Sequence, residues 1–311
     1  MKKWFVLLIA CLLTLAACGN SNSDDQSEDK KSSDSTSTVD YQLDNGKTIE
    51  IPKNPKRIVL MGASYTGNLL DLGIKPVGVD SYAFQSDILK PELEGVEQLG
   101  AGDVEKIVEL KPDLILSFDT DKNNDKYSKI APTIPFTYTK HNYLDIHKEL
   151  GKIVNKEKEA QAFIDQWNEK TADDSKEIKA QIGEDTTVSI YQIFQKKIYV
   201  YGDNWGRGSE IIYQAFDLAM PESVTKDVKP TGWKEISAEE IGKYAGDIMM
   251  ISSDTGKISN SIVESKVWKN LDAVKNNRVI NYDSEDFWFN DPISLEHQHE
   301  VLKKELMKIE K

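Results

Sequence analysis

Beyond residue 18 the chain contains no cysteine: of 311 residues only Cys11 and Cys18 carry a thiol. A folded body built from the remainder has no disulfide and no thiol nucleophile. Arginine is almost as scarce, with Arg57, Arg207 and Arg278 alone. The net charge of -13 argues against nucleic acid or anionic lipid as a bound partner, because such binding draws on clustered Lys and Arg. A multiply charged anion normally meets several guanidinium groups, so a ligand of that kind is also disfavoured. Histidine is limited to His141, His147, His297 and His299. The last two stand two apart in a helical pattern and diverge, which argues against a shared metal; solvated helix positions are the expectation for both. No phosphate loop, serine elbow or glycine-rich dinucleotide turn occurs. Catalytic and metal-ligating residues are therefore expected to be none, and the chain is read as a non-enzyme without a cofactor.

What is present begins with a leader. Lys2 and Lys3 precede an apolar run over residues 4–15, too short to span a membrane and laid out like a secretory signal peptide. Leu15, Ala16, Ala17 and Cys18 resemble the bacterial lipobox. On that reading residues 1–17 are removed, and Cys18 is acylated as a lipid anchor to a membrane surface. Residues 18–38 then form a polar tether with no large apolar residue, whose extended reach is on the order of 60 to 70 Å.

The folded body is organised around residues 155–183, read as one helix. Asn155 stands as its cap, Glu157 and Glu159 lie in the first turn, Lys176 and Lys179 lie near the end, and Gly183 is the stop. Ala160, Phe163, Ile164, Trp167, Thr171, Ile178 and Ile182 recur at helical spacing and make one buried stripe. At about 1.5 Å per residue the helix runs roughly 40 Å, enough to back two lobes. Strand and helix signals alternate on either side. Before it come a hairpin turn at Asp44, Asn45 and Gly46, strands at 58–61, 77–79, 113–118 and 134–138, and helices at 65–72, 104–110 and 143–153. After it come TVSIYQI, KIYVYGD, DIMMIS and RVINYD, with helices at 210–216, 238–244 and 294–309. Such alternation implies mainly parallel sheets covered on both faces. The expected fold is α/β, two similar lobes with a ligand cleft between them: residues 39–142, connecting and backing helices at 143–183, and residues 184–311. The halves repeat weakly. Glu105 and Ile107 precede Asp113 by eight and six residues, and Glu239 and Ile241 stand likewise before Asp247.

Two segments are unusual. Residues 199–208, YVYGDNWGRG, place Tyr199, Tyr201, Trp205 and Arg207 in a glycine-rich stretch where backbone approaches something closely; ligand contact is the expectation. Phe287, Trp288 and Phe289 precede an Asn-Asp-Pro turn, and three consecutive aromatics cannot all face one core. Tyr138 ends a first-lobe strand, where open parallel sheets place ligands.

With GDVEKI at 102–107, TYTKHNYL at 137–144, LGKIV at 150–154, YGDNWGRG at 201–208 and FWFNDP at 287–292, the whole chain resembles the ferric hydroxamate siderophore-binding lipoproteins of Gram-positive ABC importers, the long-helix class of solute-binding proteins. The resemblance implies that Tyr138, Tyr199, Trp205, Arg207 and Trp288 contact an iron(III)-hydroxamate complex. It implies also that Glu105 and Glu239 dock on an ABC permease, with the protein held on the extracellular face of the cell membrane. The resemblance leads to an expectation of Tyr in some relatives where this chain has Phe289. The expected state is a monomer. A ferric tris-hydroxamate, near neutral with an apolar shell, suits aromatic walls and one arginine. Its siderophore already fills the iron's coordination sphere, so the protein need supply no ligand. A receptor for another iron chelate, a catecholate or haem, is the alternative.

Overall fold

A computed structural model describes residues 37–253 and 258–310; the leader, Cys18 and nearly all of the tether lie outside the described residues. The chain opens with an antiparallel hairpin, β1 (Thr38–Gln42) on β2 (Thr48–Pro52), closed through Leu43 and Lys47 around the expected Asp44–Gly46 turn. Three-to-five-residue strands follow: β3 (Ile58–Leu60), β4 (Gly78–Asp80), β5 (Glu97–Leu99), β6 (Leu114–Phe118) and β7 (Thr133–Phe136). All pairings are parallel, in the order β5-β4-β3-β6-β7. The central strand β3 is wholly buried, as a sheet covered on both faces requires. The second lobe repeats the design in β8 (Val188–Phe194), β9 (Lys197–Tyr201), β10 (Trp233–Ile236), β11 (Ile248–Ser253) and β12 (Val279–Asp283), ordered β10-β9-β8-β11-β12. There β8, β11 and β12 are parallel, while β9 and β10 join antiparallel. The β8–β9 hairpin turns through Gln195 and Lys196, both at positive φ, a two-residue geometry that matches strand twist.

The weak internal repeat has a structural basis. Asp113, just before β6, accepts the backbone N–H groups of Lys56 and Arg57 at 2.6 and 2.9 Å, fixing the entry to β3. Asp247, just before β11, accepts the N–H and hydroxyl of Thr187 at the entry to β8. Each carboxylate thus sets the register of the neighbouring parallel strand in its own lobe.

The backing helix is Glu157–Ile182. Its Ala160 lies in the first lobe's core, and Trp167, Ile178 and Ile182 lie in the second's, so one apolar stripe serves both lobes. The start differs from expectation: Asn155 does not cap this helix. It adopts a left-handed φ of 60 and ends the preceding helix Tyr143–Ile153, with Lys156 N–H bonded to the Gly151 carbonyl. Asparagine is favoured both as an N-cap and as the left-handed residue after a helix, and here the tight turn between two packed helices takes the second role. Gly151 allows that turn, since a Cβ there would stand 2.7 Å from that of Ala160. Gly183, at φ 110, ends the helix as expected.

The closing helix Pro292–Leu306 packs on the backing helix and, at its start, against the first-lobe helix Thr66–Asp71. His297 and His299 do diverge, but only His297 is solvated. His299 is buried, its Nε2 2.6 Å from Asp174 and its ring 5.6 Å from that of Trp167. Burial, with Lys170 adding to it, holds its pKa below the usual imidazole value. His147 is also buried, against Asn68 and Asp71.

At the seam between lobes Asp291 caps the closing helix, accepting Ser294 N–H at 3.0 Å and its hydroxyl at 2.9 Å. Its carboxylate fills the space where a Cβ on Gly67 would be 1.7 Å away. Burial pushes its pKa from 3.8 up to about 6. A raised carboxyl pKa favours folding in acid, and that contribution is lost as pH rises from about 4 through about 6. Asp291→Asn keeps the cap and removes the buried charge. It should therefore stabilise the protein at pH 7 by up to about 3 kcal/mol and scarcely at all at pH 4, as read by urea denaturation at the two pH values.

Among the described residues no helix is long and apolar enough to cross a membrane, and no group of three or more His, Cys, Asp or Glu is placed to hold a metal.

Candidate ligand-binding cleft

In the first sheet the chain runs outward from β3 to β5 and returns beside β3 as β6, so the connections leaving β3 and β6 diverge. Parallel α/β sheets bind ligands at such a point, beyond the carboxyl ends of the strands. Here it opens on a cavity of about 510 Å³. The first lobe lines it with Ser64 after β3, Tyr82 after β4, Phe118, Asp119 and Thr120 at the end of β6, and Thr137, Tyr138 and Thr139 after β7. The second lobe supplies Trp205 and Arg207 after β9, and Trp288 and Phe289 after β12. A hollow of about 750 Å³ beside the β8–β9 hairpin is larger, but it is lined by aliphatic side chains, serines, Lys196, Lys197 and Glu235 and contains no aromatic ring. The smaller cavity, where both lobes converge, is the candidate site.

Residues 206–208 are all at positive φ, between 60 and 79. Two are glycine, for which this costs little; Arg207 bears the strain because its surroundings fix it. Its N–H donates to the Phe287 carbonyl at 2.5 Å, and its own carbonyl accepts the Tyr282 hydroxyl at 2.8 Å. The guanidinium lies over the Tyr201 ring at 5.1 Å and donates to Gln192 and to the Trp205 carbonyl. Among the described residues no carboxylate forms an ion pair with it. It presents a positive charge to the cavity without an internal counter-ion.

Trp205 rests on bare backbone: a Cβ on Gly232 would be 1.4 Å from the indole Nε1. Across the cleft Trp205 meets Tyr138 at 5.3 Å, and Trp288 stacks on Tyr82 at 4.9 Å and 14°. Two aromatic pairs thus span the lobes. Burial first, then the Glu210 carboxylate, pushes the Tyr138 phenol well above its ordinary range, so it stays a neutral hydroxyl able to donate.

The three consecutive aromatics divide as their number requires. Phe287 enters the second lobe's core and Phe289 the first's, where its ring also borders the cavity, and Trp288 stands at the cavity wall beside it. Tyr138, Trp205, Arg207 and Trp288 are brought together. Tyr199 is not among the lining residues: it lies two residues back from Tyr201 along β9, its ring edge-on to Trp233 at 5.7 Å. Tyr82, Phe118 and Asp119 were not singled out from the sequence, although each ends a first-lobe strand or follows it within two residues and the strand-end rule that marks Tyr138 applies to them equally. Glu105 and Glu239 are both exposed, each at the start of a helical segment leading to β6 or β11.

Comparison with known proteins agrees with this architecture. The chain is 38% identical to the iron(3+)-hydroxamate-binding protein FhuD of Bacillus subtilis (strain 168), over 98% of this chain and 96% of that one. The solved FhuD protein from S. pseudintermedius is 45% identical, with a TM-score of 0.84 over 88% of this chain and 99% of that one. FhuD2 from Staphylococcus aureus, solved with bound ferrioxamine B, is 44% identical with a TM-score of 0.79, covering 83% of this chain and all of that one. The sequence pattern described as periplasmic binding protein matches residues 58–285. With both lobes, the backing helix and the cleft in place, the chain belongs to the periplasmic binding protein family and is FhuD-like within it.

Proposed function

We propose that the protein captures an iron(III)-hydroxamate siderophore complex in the cleft and delivers it to an ABC permease for iron uptake, with no chemistry of its own. The observation that carries this reading is the composition of the cavity: aromatic walls from both lobes around a single guanidinium that pairs with no carboxylate among the described residues. Aromatic faces suit the apolar shell of such a complex and any cationic substituent, and one guanidinium suits its partly negative oxygens. Tyr138, Trp205, Arg207 and Trp288 are the proposed contacts, with Tyr199 nearby. The names of its relatives support the same ligand class. A catecholate complex carries a larger negative charge and would call for more cations than Arg207 alone.

The lobes are assigned to residues 39–142 and 184–311, joined by 143–183. The lipobox-like sequence at Cys18 supports a mature protein acylated there and tethered on the extracellular face of the membrane by residues 18–38, acting as a monomer. Glu105 and Glu239 are the proposed permease contacts.

The test is tryptophan fluorescence of the soluble body beginning after Cys18, titrated with a ferric hydroxamate, a ferric catecholate and haem. Trp205 and Trp288 line the cavity and report on its filling. Saturable quenching by submicromolar hydroxamate alone is the expected result; quenching only by a catecholate or haem would transfer the site to that ligand, and quenching by none would withdraw the assignment.

A further inference from the structure

The cavity has a second charge. Asp119, at the carboxyl end of β6, lines the first-lobe wall, while Arg207 lines the second-lobe wall. Two other carboxylates near this end of the molecule are paired with cations. Asp44 is held by Lys140 at 3.1 Å and by His141 at 2.9 Å, and Asp203 by Lys229 at 2.7 Å. Asp119 has no such neutralisation. The Thr137 hydroxyl donates to its Oδ2 at 2.5 Å and its N–H bonds the Phe136 carbonyl, which fix the side chain. Among the described residues no Lys, Arg or His forms an ion pair with it. A carboxylate held in place by a hydroxyl, facing a cavity, and lacking a cation is oriented for one that arrives with the ligand.

Resting on the siderophore reading above, we infer that Asp119 is a specificity-determining residue which selects ferric hydroxamates carrying a cationic side arm, drawing that arm to the first lobe while Arg207 faces the metal-bound oxygens. The two lobes then read opposite ends of the ligand's charge distribution. A neutral complex of the same size still meets the aromatic walls and Arg207, so Asp119 discriminates between ligands and does not determine whether they bind. Asp119 is exposed at the mouth of the cleft, so water screens the attraction and its effect is modest: about three- to tenfold in affinity, within the range of partly solvated ion pairs.

The experiment titrates wild type and Asp119→Asn with ferrioxamine B, whose arm ends in a primary ammonium, and with its N-acetylated, neutral form. Asparagine keeps the acceptor for Thr137 and removes only the charge. Wild type should bind the ammonium form about three- to tenfold more tightly, with the margin shrinking at 0.5 M salt as screening shortens. Asp119→Asn should bind the two forms within twofold of each other, having lost more affinity for the ammonium form than for the acetylated one. Equal affinity of wild type for both forms, or an equal loss on both in the variant, would overturn the inference while leaving the siderophore reading intact. Binding of neither form by wild type would remove that reading and this inference with it.

Discussion

Replacing Glu210 by alanine should weaken ligand binding about ten- to a hundredfold, although the residue does not line the cavity. Glu210 is fully buried at the first position of the π-type helical turn Glu210–Ala215. Its Oε1 accepts the Gly206 N–H and the Asn290 amide, both at 2.9 Å, and its Oε2 accepts the Ser209 hydroxyl at 3.0 Å. One carboxylate therefore ties the loop that carries Trp205 and Arg207 to the turn that carries Trp288. Alanine would leave three buried donors, the Gly206 N–H, the Asn290 amide and the Ser209 hydroxyl, without this acceptor, at about 1–3 kcal/mol for each that finds no other, and would free the two halves of the second-lobe wall to move separately. A loss of about 1.4–2.8 kcal/mol in preorganisation corresponds to the stated range of affinity. Glutamine offers Oε1 the same two donors, and the Ser209 hydroxyl can turn to accept, so Glu210→Gln should restore affinity to within about threefold. Burial raises the Glu210 pKa, and the neutral amide also escapes that desolvation. Fluorescence titration with parallel urea denaturation separates the effects: an alanine variant that loses stability but keeps wild-type affinity would show the tie to be structural alone.

That residue also marks the boundary of what the sequence discloses. Elements whose order is written in local periodicity were legible. The backing helix follows from its stripe, the helices Val104–Leu110 and Tyr143–Ile153 fall at their expected bounds, and the four apolar first-lobe strands lie within a residue or two of them. Two polar edge strands were not: β5 is Glu97-Gln98-Leu99, mostly exposed, and β10 is Trp233-Lys234-Glu235-Ile236, paired on one side only, whereas the more apolar edge strands β7 and β12 were. Such strands are defined by the neighbour they pair with, which a local pattern does not encode. Asn155 misled because two opposite helix ends favour the same residue. His299 misled because its burial arises from packing between two helices more than a hundred residues apart. Within the cleft, aromatic and arginine residues stood out by rarity. Asp119, Glu210 and Gly232 belong to types common throughout the chain, and only the long-range topology gives them their places.

The largest effect on transport, in contrast to binding, is expected from replacing Glu105 and Glu239 together by alanine: uptake of ferric hydroxamate should fall at least about tenfold while solution affinity stays within twofold of wild type. Neither carboxylate touches the cleft, and both are exposed. Among the described residues neither forms an ion pair, though lysines such as Lys106 and Lys243 stand close in sequence and pair elsewhere. Their equivalence follows from the repeat: Asp113 and Asp247 anchor corresponding strands, so the segments that precede them present Glu105 and Glu239 at corresponding places on the two lobes. A partner that engages one lobe through a cationic pocket can engage the other in the same way, and the second contact then forms intramolecularly at high effective concentration. Each single variant should accordingly retain partial uptake, with the double variant losing more than the product of the singles, and the coupling that remains should be less sensitive to salt because fewer charge contacts are left to screen. Wild-type uptake by the double variant would defeat the docking assignment without touching the cleft. Lost affinity in solution would instead show that these surface positions reach the cleft through the strands they precede, since docking to a permease cannot alter binding measured in its absence.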